Sequence, residues 1–217
     1  TKLKKNKIDY ILTKSLSEDK DKIKIELFDD FVTDDKEVYE KADLIISIGG
    51  DGTMLATAFN AQFYNKPVLG VNMGKLGFLV EANIDQMDKI ITELKEGKYS
   101  IEERMVISGE ALGHKTEKLY AINDIVIDKG GWPKMIELTV WVDGEYVTTF
   151  SADGLIVATP TGSTGYSISV GGPIVSPKTD VITLSPISPH SLTVRPLVLP
   201  SSQEIVIKAD SPYKEIQ

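Results

Sequence analysis

Residues 42–53 read Ala-Asp-Leu-Ile-Ile-Ser-Ile-Gly-Gly-Asp-Gly-Thr, and this stretch decides the first half of the fold. An apolar run from Ala42 to Ile48 that stops at paired glycines has the pattern of a strand buried on both faces, as in a parallel sheet. Met54, Leu55, Ala58, Phe59 and Phe63 follow at helical spacing. Pro67 to Val71 reads as a second buried strand. Ile84, Met87, Ile90, Ile91 and Leu94 form one helical face, with Asn83 placed as N-cap and Gly97 as stop signal. Strand, helix, strand, helix predicts a Rossmann-like parallel sheet covered by helices.

Near residue 98 the character changes. Ile136, Leu138, Val140 and Val142 alternate with Glu137, Thr139 and Trp141, and Asp143-Gly144 turns the chain into residues 145–150. That is a hairpin signature. Short apolar runs recur at 155–158, 181–184, 197–199 and 205–207. The expected organisation is an α/β domain over 1–98 and a β-rich domain over 99–217, with the active site in a cleft between them. The chain begins at Thr1 and stops after Gln217 without a closing motif, and it reads as incomplete at one or both ends.

Composition removes several function classes. Of 217 residues, 41% are hydrophobic and 26% charged, the balance of a globular protein. The net charge of −8 argues against coating nucleic acid or anionic membrane. With no cysteine and only His114 and His190, thiol nucleophiles, thiolate clusters and multi-histidine metal centres are excluded. No apolar segment follows the basic N-terminus, and the apolar runs are too short to span a bilayer, so a cytoplasmic protein is expected.

Three motifs carry chemistry. In Gly49-Gly50-Asp51-Gly52-Thr53, glycines between strand and helix let phosphates approach backbone N–H groups at a helix N-terminus. Asp51 is the oddity, since a plain phosphate cradle avoids a carboxylate. It makes sense as acceptor of a hydroxyl proton, or facing a metal bound to phosphates; the competing reading is a tight turn capped by Asp. No Gly-Lys-Ser/Thr follows, so this is not a Walker A loop. The second motif runs from Asp153-Gly154 through Thr159-Pro160-Thr161-Gly162-Ser163-Thr164-Gly165-Tyr166-Ser167-Ile168-Ser169 to Gly171-Gly172-Pro173. Read as one long loop, its hydroxyls and glycines suit a nucleoside, or else make a bland Ser/Thr-rich surface. The third is Asn123-Asp124, whose side chains could accept from a vicinal diol or simply start a strand. Gly74-Lys75-Leu76-Gly77-Phe78 is a further glycine-spaced loop.

Together these motifs resemble the NAD kinases, bacterial type, in order and over most of the chain. Also matching are Ser188-Pro189-His190-Ser191-Leu192 and Arg195-Pro196. The Gly-Gly-Asp-Gly element alone is shared with diacylglycerol, sphingosine and 6-phosphofructo- kinases; the Thr-Pro-Thr-Gly-Ser-Thr stretch is the specific one. The resemblance implies Mg²⁺-dependent transfer of the γ-phosphoryl group of ATP, or in some members polyphosphate, to the 2′-hydroxyl of the adenosine ribose of NAD, giving NADP. By motif position, Asp51 would activate that hydroxyl and Asn123 and Asp124 would hold a ribose diol. Thr161, Thr164, Gly165, Tyr166 and Ser169 would surround adenine, and Asp153 would meet the nicotinamide side. Leu76 and Phe78 would line the same pocket, with Gly49, Gly50, Gly52 and Thr53 near the phosphates. Mg²⁺ would be held by phosphates and water, with no dedicated protein ligands. A homodimer or homotetramer is implied, with NAD and ATP as partners.

Departures are Asp124 where the family often has Glu, and Gly165 where it often has Ala. The family's opening strand is not evident in the sequence, and its closing segment is missing. Other residues read as structural. His190 packs, His114 lies in an exposed turn, Trp132 and Trp141 pack or serve an interface, and Lys2 to Lys7 form a solvated helix face. Arg195 answers either a phosphate or a carboxylate. A lipid or sugar kinase sharing the glycine turn, and a non-catalytic dinucleotide sensor, are the alternative functions.

Overall fold

The computed structural model describes residues 2–13, 32–74, 77–80, 82–112, 117–131 and 133–210. His114, Trp132, and Lys75 and Leu76 of the glycine-spaced loop lie outside the described residues. The chain divides into two units, Thr1–Glu102 and Glu103–Gln217.

In the first unit a short helix α1 (Lys2–Lys5) precedes β1 (Leu12–Thr13), which pairs in parallel with β2 (Val32–Thr33). This pair was not evident from the sequence, because two-residue strands leave no periodicity to read. Helix α2 (Asp35–Lys41) starts where the Asp34 side chain accepts from the Lys36 amide at 2.7 Å, and Lys41 closes its last turn. Both ends suit the helix dipole. Its buried Val38 and Tyr39 pack with Ile45 and Ala61.

The parallel sheet is β3-β4-β5, formed by Ile45–Ile48, Val68–Asn72 and Ala82–Asn83. Helix α3 (Asp51–Ala61) connects the first two strands. It lies close on β4 at Gly70, where an added Cβ would sit 3.2 Å from the Met54 sulfur and 3.2 Å from a Val80 methyl. The expected apolar face of α3 is only partly used: Phe59 and Phe63 are 39% and 57% exposed. Beyond α3 a 3-10 turn over Gln62–Tyr64 takes Phe63 off that face. It tightens the period to about three residues per turn, and Tyr64, not Phe63, stacks on Tyr39 at 5.7 Å. Helix α4 (Met87–Lys95) begins through a turn at Ile84–Gln86 with Asn83 in a reciprocal capping box, buries Ile91, and is followed by Gly97 at φ +66°. The sequence placed both the start, at Asn83, and the stop, at Gly97.

The second unit is antiparallel. A small sheet pairs β6 (Ile107–Gly109) with β7 (Leu119–Ala121). One larger sheet has the order β10-β9-β14, from Glu145–Ala152, Ile136–Val142 and Ile205–Asp210. The other has the order β13-β12-β11-β8, from Leu197–Pro200, Val181–Ile187, Gly154–Ala158 and Asp124–Asp128. Asp143 and Gly144 both have positive φ, 51° and 80°. A two-residue turn of that hand matches strand twist and sets Glu145 opposite Val142. The alternating side chains Ile136, Leu138, Val140 and Val142 are all buried, meeting Phe150, Leu155 and Leu184 in the core. Among the described residues no helix is long and apolar enough to cross a membrane.

Leu138 is fully buried at the centre of this core. Leu138→Ala is expected to lower unfolding free energy by about 2–5 kcal/mol, read by chemical denaturation with far-UV circular dichroism.

Candidate active site

The glycine turn of the first unit is built by strand pairing. The Gly49 N–H donates to the Val71 carbonyl at 2.9 Å, extending β3 by one residue. Gly50 is then the N-cap, without a side chain, and Asp51 is the first residue of α3. Added Cβ atoms on Gly50 or Gly52 would meet nothing within 4 Å. Packing therefore does not demand glycine at these two positions; their bareness leaves the helix N-terminus open. The first amides of a helix lack internal acceptors, and the dipole there favours anions.

Asp51 does not cap its own helix. Its Oδ2 accepts the Phe78 amide at 2.8 Å and its Oδ1 the Leu79 amide at 3.1 Å. Each oxygen keeps acceptor capacity beyond its one backbone bond. Gly77 makes this possible, because a Cβ there would overlap both carboxylate oxygens. The same loop is pinned at its start, where buried Asn72 accepts the Gly74 amide at 2.7 Å. Phe78 presents its ring to solvent, 75% exposed. Sequence reasoning named Asp51, Gly77 and Phe78 but not the bond between them, since partners 27 residues apart leave no spacing signal.

In the second unit the Asn123-Asp124 pair and the hydroxyl-rich segment come together. The Thr159 N–H donates to the Asn123 carbonyl at 2.8 Å, and the Thr159 hydroxyl donates to the Ile122 carbonyl at 2.5 Å while accepting the Gly162 amide at 3.0 Å. A Cβ at Gly162 would overlap the Asn123 carbonyl. One at Gly165 would lie 3.2 Å from the Gly162 carbonyl, 3.4 Å from the Asn123 side-chain nitrogen and 3.6 Å from an Asp124 carboxylate oxygen. The segment is thus not one loop. It is a 3-10 turn over Thr161–Thr164 followed by a one-turn helix α5, Tyr166–Ser169. Thr159, Thr161, Ser163 and Ser167 are buried, and the hydroxyls of Thr159, Ser163 and Ser167 are bonded to the chain itself. Ser163 binds the Val175 amide at 3.0 Å, and Ser167 meets Ser185 at 2.8 Å. Tyr166, Gly165, Thr164 and Ser169 remain accessible to differing degrees. Neither the exposed bland loop nor the wholly ligand-facing loop describes this segment.

Two groups here lack ordinary compensation. The Asn123 side-chain oxygen is buried without a hydrogen-bond partner among the described residues. Burial also pushes the Asp124 carboxyl above its ordinary value of 3.8. Buried acceptors are nearly always paired, so the Asn123 oxygen is open to a donor that the described residues do not supply. Asp153 stands before β11 with its carboxylate 2.7 Å from the Lys129 ammonium, a partner the sequence reading missed.

Other expected residues have local roles. Arg195 donates to the Leu192 and Val194 carbonyls at 2.5 and 2.9 Å through one guanidinium nitrogen. His190 is exposed and its backbone N–H binds the Ser151 carbonyl at 2.9 Å. Trp141 lies half-buried between Tyr146 and Val206 across β9. Leu76 is outside the described residues. A cavity of about 310 Å³ in this unit, between Val140, Phe150, Leu155 and Leu184, includes Arg195 but none of the residues expected to bind the dinucleotide. The unpaired acceptors mark the polar chemistry better than that hollow does. Among the described residues no group of three or more His, Cys, Asp or Glu could hold a metal ion.

Comparison with known proteins gives the following. A model of the ATP-NAD kinase N-terminal domain matches residues 4–99, and one of the ATP-NAD kinase C-terminal domain matches 122–216. An NAD kinase of Gemmatimonas aurantiaca is 46% identical over 177 residues, covering 80% of this chain and 61% of that protein. One of Clostridium botulinum is 42% identical over 193 residues, covering 88% and 69%. This chain therefore spans between three-fifths and seven-tenths of the length of these two relatives. A crystal structure of yeast NADH kinase complexed with NADH superposes with a TM-score of 0.76 at 35% identity, covering 83% of this chain and 54% of that one. An NAD kinase from Archaeoglobus fulgidus in complex with ATP gives 0.67 at 31%, covering 79% and 66%.

Two outcomes test the geometry without any ligand. Gly77→Ala is expected to break the Asp51 clasp, seen as lost exchange protection at the Phe78 and Leu79 amides, with a stability loss of about 1–3 kcal/mol. Asp124→Asn should stabilise at neutral pH. A raised carboxyl costs nothing while neutral in both states, and the cost grows as pH rises past the unfolded value and is complete above the folded one. The gap favouring Asn should therefore open above about pH 4 and vanish below about pH 3 in denaturation series.

Proposed function

The chain belongs to the NAD kinase family, and we propose that it transfers the γ-phosphoryl group of ATP to the 2′-hydroxyl of the adenosine ribose of NAD, producing NADP. The observation that carries this reading is the Asp51 carboxylate, held by two backbone amides at the open start of α3. A group so fixed is aligned for one proton, and its remaining lone pairs are free to accept it.

In this mechanism the 2′-oxygen attacks the γ-phosphorus while Asp51 takes the hydroxyl proton. The bond from phosphorus to the β,γ-bridging oxygen breaks, and ADP leaves. The transition state is loose, so alignment and charge neutralisation dominate. Gly50, Gly52 and Thr53 offer backbone donors to the phosphates, with free space beside Gly50 and Gly52, while Gly49, its N–H bound to the Val71 carbonyl, shapes the turn next to them. A single carboxylate at this turn, with no acidic cluster among the described residues, suits a Mg²⁺ ion that arrives on ATP phosphates and water; its contribution would be to neutralise the donor's oxygens.

Asn123 and Asp124 accept from a ribose diol, which supplies the donors that the Asn123 oxygen lacks. Thr161, Thr164, Gly165, Tyr166 and Ser169 receive the adenine, Tyr166 with its 47% exposed ring as a stacking face. Phe78 presents its exposed ring to NAD beside Asp51, and Asp153 meets the nicotinamide side. A product 2′-phosphate beside Asp51 is repelled, which favours release. The family resemblance supports a cytoplasmic homodimer or homotetramer.

The test incubates the protein with NAD, ATP and Mg²⁺ and reads NADP through a coupled dehydrogenase. Asp51→Asn should retain NAD affinity by calorimetry and lose roughly a hundred- to ten-thousand-fold in turnover. Tight NAD binding with no NADP from the wild type would favour the sensor, and near-wild-type activity of Asp51→Asn would remove the base.

A further inference from the structure

Lys129 has no part in the mechanism above, yet its ion pair with Asp153 is firmly built. Lys129 follows β8 and Asp153 precedes β11. The Lys129 N–H donates to the Asp153 carbonyl at 3.0 Å, and the Asp153 N–H donates to the Ile187 carbonyl at 2.9 Å. Gly154 lies opposite Asp128, and a Cβ on it would overlap the Ile127 carbonyl, so glycine lets the two strands close. The side chains then meet at 2.7 Å, 25% and 32% exposed. Water reaches them, but the pair is partly shielded from screening.

We infer that Lys129 is a positioning residue whose ion pair with Asp153 levels the enzyme's preference between oxidised and reduced dinucleotide. The inference rests on the proposed function, in which Asp153 stands at the nicotinamide end. The ring of NAD⁺ carries a positive charge and that of NADH none. A lone carboxylate beside the ring would favour the oxidised form; a carboxylate already neutralised by an ammonium presents a dipole instead. Lys129 also ties down the carboxylate, leaving its second oxygen to accept from the neutral carboxamide that both forms share.

The experiment measures kcat and KM for NAD⁺ and for NADH with the full chain, separating the products chromatographically, at low and high ionic strength. The wild type should use the two within about threefold of each other. Lys129→Gln and Lys129→Met, the latter keeping the apolar stem, should shift the ratio of kcat/KM roughly three- to tenfold toward NAD⁺, mainly through KM. The shift should shrink at high salt, and Lys129→Arg should restore the wild-type ratio. A merely structural lysine would alter both substrates alike, so an unchanged ratio in both neutral variants overturns the inference if Asp153→Asn raises KM. If Asp153→Asn moves neither KM, Asp153 is not at the dinucleotide; its assigned place in the proposed function then falls, and this inference with it.

Discussion

The bond between the Asp51 carboxylate and the amides of Phe78 and Leu79 is the constraint on which the first unit's chemistry depends. It joins the start of one helix to a loop beyond the next strand. Bonds from charged acceptors to backbone amides are stronger than neutral ones. A free aspartate at a helix start would sample several rotamers, whereas this one is held from outside its own element. The glycine preceding the two donors is needed because any side chain there would stand where the carboxylate is. The two glycine-rich stretches of this unit are therefore halves of one device.

Much of the architecture was legible because it rests on periodicity. The run into Ile48, the alternation from Ile136 to Val142 and the Asp143-Gly144 turn gave strands and a hairpin where the structure has them. Asn83 and Gly97 marked their helix because capping is local chemistry. What failed to show was non-periodic or remote. The tightened turn at Gln62–Tyr64 rotated the aromatic positions, and the short β1–β2 pair had no pattern to detect. At the site, motifs named Asp51, Asn123 and Asp124, but their surroundings come from tertiary contacts. The Asp51 clasp, the orphaned Asn123 oxygen and the lysine beside Asp153 each involve a partner or burial that spacing does not encode.

The segment from Thr159 to Ser169 shows how composition misleads when read as a whole. A cluster of hydroxyls looks like a ligand surface. Here much of it is internal wiring: Thr159 holds the chain entering β8, Ser163 holds Val175, and Ser167 is bound to Ser185 of the sheet beneath. Gly172 fits against that last pair, where a Cβ would overlap the Ser167 hydroxyl. These bonds fix the segment's backbone through groups on the chain itself, before any solute contributes.

That wiring divides the segment into letters that can change and letters that cannot. Replacing Thr159, Ser163 or Ser167 disturbs the scaffold whatever the molecule outside, and the Thr164 hydroxyl is bound to the Thr161 carbonyl, whereas Tyr166 and Ser169 can be rewritten with the backbone still in place. Divergence toward a new acceptor would have to travel through the second set alone. The alphabet for evolving specificity in this stretch is two side chains wide.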